Sequence, residues 1–366
     1  MKRISYTYPI SEFPGSGSYF TEKTLLLDIE TTGLSPKNTG IYMIGTGKRV
    51  GDEVIITLLF AENLLQEEMI ISTFMDEISQ FDEVVTFNGE RFDLPFIRER
   101  AERYDIFTEA MDRLSSIDLL LAIRPYKKLL GLPNCRQKTV EALLNVGRED
   151  EYDGGALIEV YLRYENEPDP EAERLLVLHN AEDVAGMAHI LPVLAYSRLV
   201  SSHMTVEQAQ WDEDEEYLTV RLSSDIDLPA PITINEGSCY IIIDKNTIRA
   251  ALPVYSGILK YFYPYPAKYV YLTKEQTVVP KVLASSIPSS EKRPAKAAEC
   301  FAAADGDFIS IDPVIRRKNP MFFDGTKLFL KDYNDKDAIY IKTDRTALNA
   351  DSIQSYIGLL IRHYVR

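Results

Sequence analysis

Two carboxylates stand two positions apart at the end of a short apolar run. Leu25-Leu26-Leu27 leads into Asp28-Ile29-Glu30, which predicts a strand buried on both faces. Side chains at i and i+2 of a strand project from the same face, so Asp28 and Glu30 point together. Adjacent carboxylates repel unless a cation lies between them, and such paired oxygen ligands suit Mg²⁺ or Mn²⁺. The alternative is a strand end that carries two solvated acids.

A third acid lies where a strand meets a helix. The segment reads Phe87-Asn88-Gly89-Glu90-Arg91-Phe92-Asp93; it follows a predicted strand over 84–87 and opens a predicted helix over 93–104. A proline in the first turn is compatible with that helix. Asp93 is therefore either a further metal ligand or a cap of the helix.

A histidine and an acid are spaced one helical turn apart further along the chain. His179 and Asp183 belong to a predicted helix and share one of its faces, close to Leu176 on the apolar stripe. The pair is either an ion pair on the helix surface or a partly buried acid that needs a partner.

In this order the three motifs resemble a known superfamily. DxE, then NxxxFD, then HxxxD is similar to the exonuclease motifs of the DEDD 3′–5′ exonucleases, which have a ribonuclease H-like fold. Within that superfamily the sequence resembles the YprB-like ribonuclease H-like proteins, over residues 20–200. The last motif has a histidine at the spacing where one DEDD type has tyrosine, whereas the histidine type has HxxxxD. The supporting residues are Leu132-Pro133-Asn134-Cys135-Arg136, Thr139-Val140-Glu141 and His179-Asn180 with Asp183-Val184.

The resemblance implies hydrolysis of phosphodiester bonds with two Mg²⁺ or Mn²⁺ ions as cofactors. It assigns metal binding to four acids, with Asp28 bridging the two ions: Asp28, Glu30, Asp93 and Asp183. His179 would orient or deprotonate the attacking water, which completes the predicted catalytic set. The terminal nucleotide would contact these substrate-binding residues, with Leu34 against its base: Thr31, Thr32, Gly33, Leu34, Asn88 and Phe92.

The order of predicted elements gives the fold class. Strands over 25–30, 41–46 and 53–60 precede a helix, a strand, a second helix, a short strand over 116–120 and further helices. This order predicts an α/β mixed sheet that begins as an antiparallel meander and is flanked by helices. The polar, acidic segment 201–216 suggests a boundary. We expect a ribonuclease H-like domain over 1–205 and a smaller α+β domain of unknown role over 206–366.

Composition limits the possible partners. The 366 residues carry 40 Lys+Arg and 56 Asp+Glu, a net charge of −16, so a broad basic face for coating nucleic acid is not expected. Bound divalent ions would reverse the local field and admit a nucleic acid with a single-stranded 3′ end. Three widely spaced cysteines and an N-terminus without an apolar core suit a cytoplasmic protein, with no signal peptide and no membrane partner.

Two alternatives remain open from the sequence. The chain is either an active exonuclease or a binding or scaffold module that keeps the ribonuclease H-like fold without efficient catalysis. In the second half, the aromatic run 261–271 is either a stacking platform for single-stranded nucleic acid or the packing of a small sheet.

Overall fold

The computed structural model describes residues 1–150, 152, 154–214, 216–335, 338–343 and 349–365. The chain forms two compact units. Unit 1 comprises Met1–Ser201 and Ile226–Pro231, and unit 2 comprises Ser202–Asp225 and the chain from Ile232 onward. The division falls four residues before the expected 205/206 boundary, and a short segment of the following chain returns to unit 1.

A mixed sheet forms the centre of unit 1. Its strands are β1 (Lys2–Pro9), β2 (Thr24–Thr31), β3 (Ile41–Val50), β4 (Glu53–Phe60), β5 (Glu83–Thr86) and β6 (Ser115–Asp118). Their order across the sheet is β1-β4-β3-β2-β5-β6. The first four strands pair antiparallel, whereas β5 and β6 join parallel. The predicted antiparallel meander and the mixed α/β class are confirmed.

Helices flank this sheet. They are α1 (Glu67–Ile78), α2 (Asp93–Arg103), α3 (Glu109–Asp112), α4 (Leu119–Ile123), α5 (Gln137–Leu143), α6 (Gly154–Asn166), α7 (Pro170–Ile190) and α8 (Ala195–Leu199). Helix α1 buries Ile71, Phe74 and Ile78 on one face, as their spacing predicts. Helix α7 starts at an N-cap, where the Asp169 side chain accepts from the Glu171 and Ala172 amides.

Small residues let α7 approach the sheet. The helix packs against β2, β3 and β4. A Cβ atom added to Gly45 of β3 would lie 2.1 Å from Asn180 Oδ1, and one added to Gly47 would lie 2.9 Å from Val184. Glycine at these positions therefore sets the distance between α7 and the strand that carries Asp28 and Glu30.

Unit 2 is built mainly of β-strands. They are β7 (Met204–Trp211), β8 (Tyr217–Ser224), β9 (Ile232–Glu236), β10 (Cys239–Asp244), β11 (Thr247–Phe262), β12 (Tyr269–Leu272), β13 (Thr277–Pro280), β14 (Lys292–Pro294), β15 (Phe301–Ile311), β16 (Leu328–Phe329) and β17 (Ile339–Thr343). The strands β12, β13 and β14 form a small separate sheet. In the described part of this unit they are accompanied by the helices α9 (Pro313–Lys318) and α10 (Ala350–Tyr364). The segment 201–216, where a boundary was expected, contains β7, and its Glu215 lies outside the described residues.

The aromatic run of unit 2 takes part in packing. Tyr261 joins a core cluster around Phe329, and Tyr263 stacks on Tyr269 with ring centroids 4.7 Å apart. These contacts favour the packing interpretation of the run. Cys135, Cys239 and Cys300 are free thiols. Among the described residues, no helix combines the length and the apolar character that crossing a bilayer requires.

Candidate metal centre

Asp28 and Glu30 lie on the strand that occupies the middle of the sheet. Strand β2 is hydrogen-bonded on both sides, and the pairing register with β3 shifts between Glu30 and Thr31, so the strand turns directly after the second acid. Glu30 is 7% exposed, and the Tyr42 hydroxyl lies 3.5 Å from its Oε2. Asp28 is half-buried and accepts a hydrogen bond of 2.7 Å from Asn180 Nδ2. The two acids therefore do not lie on a solvated strand end.

Asp93 is the first residue of α2, and its side chain turns back to β2. Its Oδ1 accepts from the Ile29 amide at 3.0 Å, between the two acids of the strand. Among the described residues no side chain caps this helix at its N-cap position, and the contact of Asp93 with β2 favours the metal-ligand interpretation over the capping one. The preceding turn places Asn88 at φ 69° and is held by Asp118, whose Oδ1 accepts from the Asn88 amide at 2.9 Å. This turn directs Asp93 inward.

Helix α7 brings the third motif onto the same strand. His179 is 5% exposed, so the pair with Asp183 is not a surface ion pair. His179 Nε2 lies 3.5 Å from Glu30 Oε1 and 3.4 Å from Asp183 Oδ2. Segments separated by about 150 positions along the chain thus meet at one cluster.

The charges of this cluster act on one another. Burial raises the pKa of Glu30 to about 7 and that of Asp93 to about 7, and the charge of Asp183 adds to both effects. The pKa of Asp28 is raised well above its ordinary value by desolvation and then by Asp183, Asp93 and Glu30. Burial lowers the pKa of His179, but Glu30, Asp183 and Asp150 together outweigh it, so the net change is upward. A divalent ion bound among these acids would favour their ionised forms.

The donor set fits divalent ions. It offers hard carboxylate oxygens from Asp28, Glu30, Asp93 and Asp183, and an imidazole nitrogen from His179. One ligand atom each from Glu30, His179 and Asp183 lie within 4.8 Å of one another, close enough to share an ion. The like charge of the acids would be neutralised by such an ion.

A loop after α5 supplies residues that sequence reasoning missed. Arg148 Nη2 lies 2.5 Å from Asp183 Oδ1, and Asp150 Oδ2 lies 2.7 Å from His179 Nδ1. Glu182 holds the loop against α7 because its carboxylate accepts from the Glu149 and Asp150 amides, at 2.8 Å and 2.9 Å. No local spacing in the sequence predicts these contacts. The only sequence signal is the run of charged residues that follows Gly147.

The Arg148 guanidinium is itself embedded among acids. Besides Asp183 it contacts Glu141 at 3.2 Å and Glu182 at 3.4 Å. Burial lowers its pKa, but Asp183 and Glu141 raise it more, so Arg148 stays charged. The positive charge of Arg148 therefore neutralises Asp183 on the side that faces away from His179.

The predicted substrate residues border the cluster. The loop Thr31, Thr32, Gly33 and Leu34 continues directly from Glu30 and is tied back by a hydrogen bond of 2.9 Å from Thr31 Oγ1 to the Gly33 carbonyl. Leu34 is 85% exposed. Asn88 and Phe92 belong to the segment that leads into Asp93, and Phe92 packs against Phe96. Their contacts with a nucleotide remain predictions.

Comparisons with known proteins define the fold of unit 1. The sequence from 25 to 195 matches a family model described as RNase_H superfamily. Together with the mixed sheet and its flanking helices, this gives unit 1 a ribonuclease H-like fold, as the motifs predicted. No curated protein matches this sequence.

Several solved structures show low similarity. The family B DNA polymerase of the hyperthermophilic archaeon Pyrobaculum calidifontis is 13% identical with a TM-score of 0.38, over 93% of this chain and 46% of that one. Exonuclease I of Methylocaldum szegediense is 14% identical with a TM-score of 0.29, over 77% and 64%. The zinc-bound complex of E. coli exonuclease I with single-stranded DNA is 12% identical with a TM-score of 0.29, over 77% and 64%. This chain spans less than two thirds of each of these proteins.

Proposed function

We propose that the chain is a divalent-metal-dependent 3′–5′ exonuclease that acts on single-stranded ends of DNA or RNA. The observation that carries the proposal is the meeting of Asp28, Glu30, Asp93 and Asp183, from three distant segments, in one largely buried cluster. Burying several acids together lowers the stability of the fold, so such a group is not expected unless it binds a ligand. Binding two Mg²⁺ or Mn²⁺ ions would make the arrangement favourable.

The residues divide the work as follows. Bound divalent ions would activate a water and stabilise the leaving oxygen. Asp28 is held by Asn180 and feels the charges of Asp183, Asp93 and Glu30, and Asp93 reaches the cluster through the Ile29 amide. His179 presents Nε2 to the same place. These contacts fix each side chain before a substrate arrives, which is the condition for precise metal placement.

The neighbouring loops would hold the substrate. The loop Thr31–Leu34 offers backbone groups beside the acids, and exposed Leu34 offers an apolar surface to the terminal base. Asn88 and Phe92, in the segment that leads into Asp93, would line the same pocket. The 3′–5′ direction and the preference for single-stranded ends come from the motif resemblance, so an experiment must read polarity directly.

The test is digestion of oligonucleotides labelled at the 5′ end. We expect the purified chain with Mn²⁺ or Mg²⁺ to shorten single-stranded DNA or RNA stepwise while the 5′ label stays on the shortened products, and to be inactive with a chelator. Asp28→Ala and Asp183→Ala should lose more than about 100-fold in rate, a larger loss than an outer-shell residue causes. Asp76→Ala, at an exposed position of α1, is the matched control.

Two outcomes would refute the proposal. One is unchanged metal-dependent cleavage in Asp28→Ala and Asp183→Ala, both shown to be folded by circular dichroism. The other is metal binding by the natural chain without degradation of any DNA or RNA substrate, which would favour the binding-module alternative.

A further inference from the structure

His179 Nε2 faces two carboxylate oxygens of the cluster at a spacing that suits a shared metal ion. It is 3.5 Å from Glu30 Oε1 and 3.4 Å from Asp183 Oδ2. Two ligand atoms bound at about 2.1 Å to one ion lie about 3.0–3.4 Å apart for octahedral to tetrahedral angles. The three side chains therefore need only small movements to bind the same ion.

The second nitrogen of the ring is already engaged. His179 Nδ1 faces Asp150 Oδ2 at 2.7 Å, and the Asp150 side chain is 2% exposed. Lys138 Nζ at 2.9 Å and the Tyr152 amide at 3.0 Å hold this carboxylate in place. A carboxylate partner requires the proton on Nδ1, which leaves the lone pair of the neutral ring on Nε2. Metal-binding histidines almost always donate their other N–H to such a partner.

Asp183 has one oxygen free for the same ion. Its Oδ1 contacts Arg148, whereas its Oδ2 is the atom that faces His179. Arg148 thus orients the acid without filling the position between Oδ2, Nε2 and Glu30 Oε1. Without a cation or a proton there, an imidazole lone pair would face two carboxylate oxygens, which is unfavourable at this burial.

We propose that His179 binds the metal directly through Nε2, together with Glu30 and Asp183, and that Asp150 is its positioning residue. This inference rests on the proposed metal centre and replaces the predicted role of His179 as a general base. Imidazole nitrogen is a ligand of first-row transition ions, whereas Mg²⁺ takes oxygen. The centre should therefore prefer a transition ion to Mg²⁺.

The test is electron paramagnetic resonance of Mn²⁺ bound to the full chain. We expect an electron spin-echo spectrum to show ¹⁴N coupling from a bound imidazole, which changes when the protein is grown with ¹⁵N-histidine. His179→Gln should lose the coupling, and the Mn²⁺-over-Mg²⁺ affinity ratio should fall. His203→Gln, at an exposed position of unit 2, is the control and should keep both.

Asp150 is tested by Asp150→Asn. Loss of the Asp150 carboxylate should weaken Mn²⁺ binding by about 10–100-fold and alter the nitrogen coupling. The unfolding midpoint in chelator should change little. A purely structural role would lower the midpoint and leave the coupling of the folded fraction unchanged, and that result would refute the role given to Asp150.

The outcomes separate this inference from the proposed function. Mn²⁺ binding without nitrogen coupling, in a chain that degrades oligonucleotides, would overturn the inference alone. Nitrogen coupling without degradation of any substrate would support the inference and overturn the nuclease. A chain that binds no Mn²⁺ would overturn both.

Discussion

Asp28 illustrates the conflict between stability and function in single residues. Its carboxylate is held by Asn180 and lies among acids that raise its pKa, with desolvation as the largest cause. A chain selected for stability alone would carry a neutral side chain there. The same repulsion that destabilises the metal-free protein would favour a bound cation.

We therefore expect Asp28→Asn to stabilise the metal-free protein. The amide keeps an oxygen that accepts from Asn180 and removes one charge from the cluster, a change of about 0.5–2 kcal/mol. For a unit of this size, the unfolding midpoint in chelator should rise by about 1–8 °C. Asp76→Asn on the surface of α1 should not move it. A lower midpoint for Asp28→Asn would mean that the charge of Asp28 stabilises the fold.

His189 gives a pH dependence that is independent of the metal centre. The ring packs on Phe13 with centroids 4.5 Å apart, and burial lowers its pKa. The unfolded chain therefore takes up a proton near pH 6.5 that the folded chain refuses, so stability falls as the pH drops below that value. His189→Gln should reduce this loss by up to about 1 kcal/mol per pH unit, less than the full one-proton slope because the ring is partly exposed.

Urea unfolding of both proteins at pH 7.5 and pH 5.5 checks this effect. The difference in unfolding free energy between the natural chain and His189→Gln should shrink, or change sign, at the lower pH. Equal differences at the two pH values would contradict a buried neutral ring.

The sequence predicted the acids of the cluster but not the residues that contact them. Asp28, Glu30 and Asp183 belong to short local patterns, so their types and spacing could be recognised. Asp150 reaches His179 across 29 positions, and Arg148 reaches Asp183 across 35, through a loop without periodicity. Only tertiary packing brings such residues together, which is why the surroundings of His179 could not be predicted.

Among the elements, α7 and β3 determine whether the cluster forms. The helix carries His179 and Asp183, and it reaches β2 only because Gly45 and Gly47 leave no side chain between them. Apolar residues in the sequence predicted the strands β2, β3 and β4, although β3 continues to Val50, beyond the predicted end at 46. The sequence did not predict β1, because most of its side chains are exposed and no apolar run marks it.

Gly45→Ala tests whether α7 needs this glycine to pack closely against β3. A Cβ there would lie 2.1 Å from Asn180 Oδ1, so α7 must shift and Asn180 must turn from Asp28. We expect a loss of about 1–3 kcal/mol in unfolding free energy by urea denaturation, typical of an overpacked interior, together with weaker Mn²⁺ binding. Gly237→Ala is the control, because an added Cβ there meets nothing within 4 Å. Unchanged stability and Mn²⁺ affinity in Gly45→Ala would show that α7 does not depend on this glycine.

At the scale of the whole molecule, the first 200 residues and the rest of the chain differ in net charge, and each unit has a core of its own. Residues 1–200 carry 34 Asp+Glu and 20 Lys+Arg, whereas the rest carries 22 and 20. Each unit has its own apolar cluster, around Phe74 and Ile97 in unit 1 and around Phe308 and Phe329 in unit 2. The metal centre draws all its described ligands from unit 1. Metal should therefore stabilise one unit selectively.

The single tryptophan of the chain makes this selectivity measurable. Trp211 lies on β7 in unit 2, so its fluorescence follows the unfolding of that unit, while circular dichroism in the far ultraviolet follows both. At Mn²⁺ one hundred times its dissociation constant, linkage adds about 2.7 kcal/mol to unit 1, a rise of about 5–10 °C in its midpoint. We expect the dichroism transition of unit 1 to move by this amount and the tryptophan transition to stay in place. Asp183→Ala should abolish the shift. A tryptophan transition that moves in step with unit 1 would show that the two units unfold together, and a dichroism curve that ignores Mn²⁺ would remove the metal centre itself.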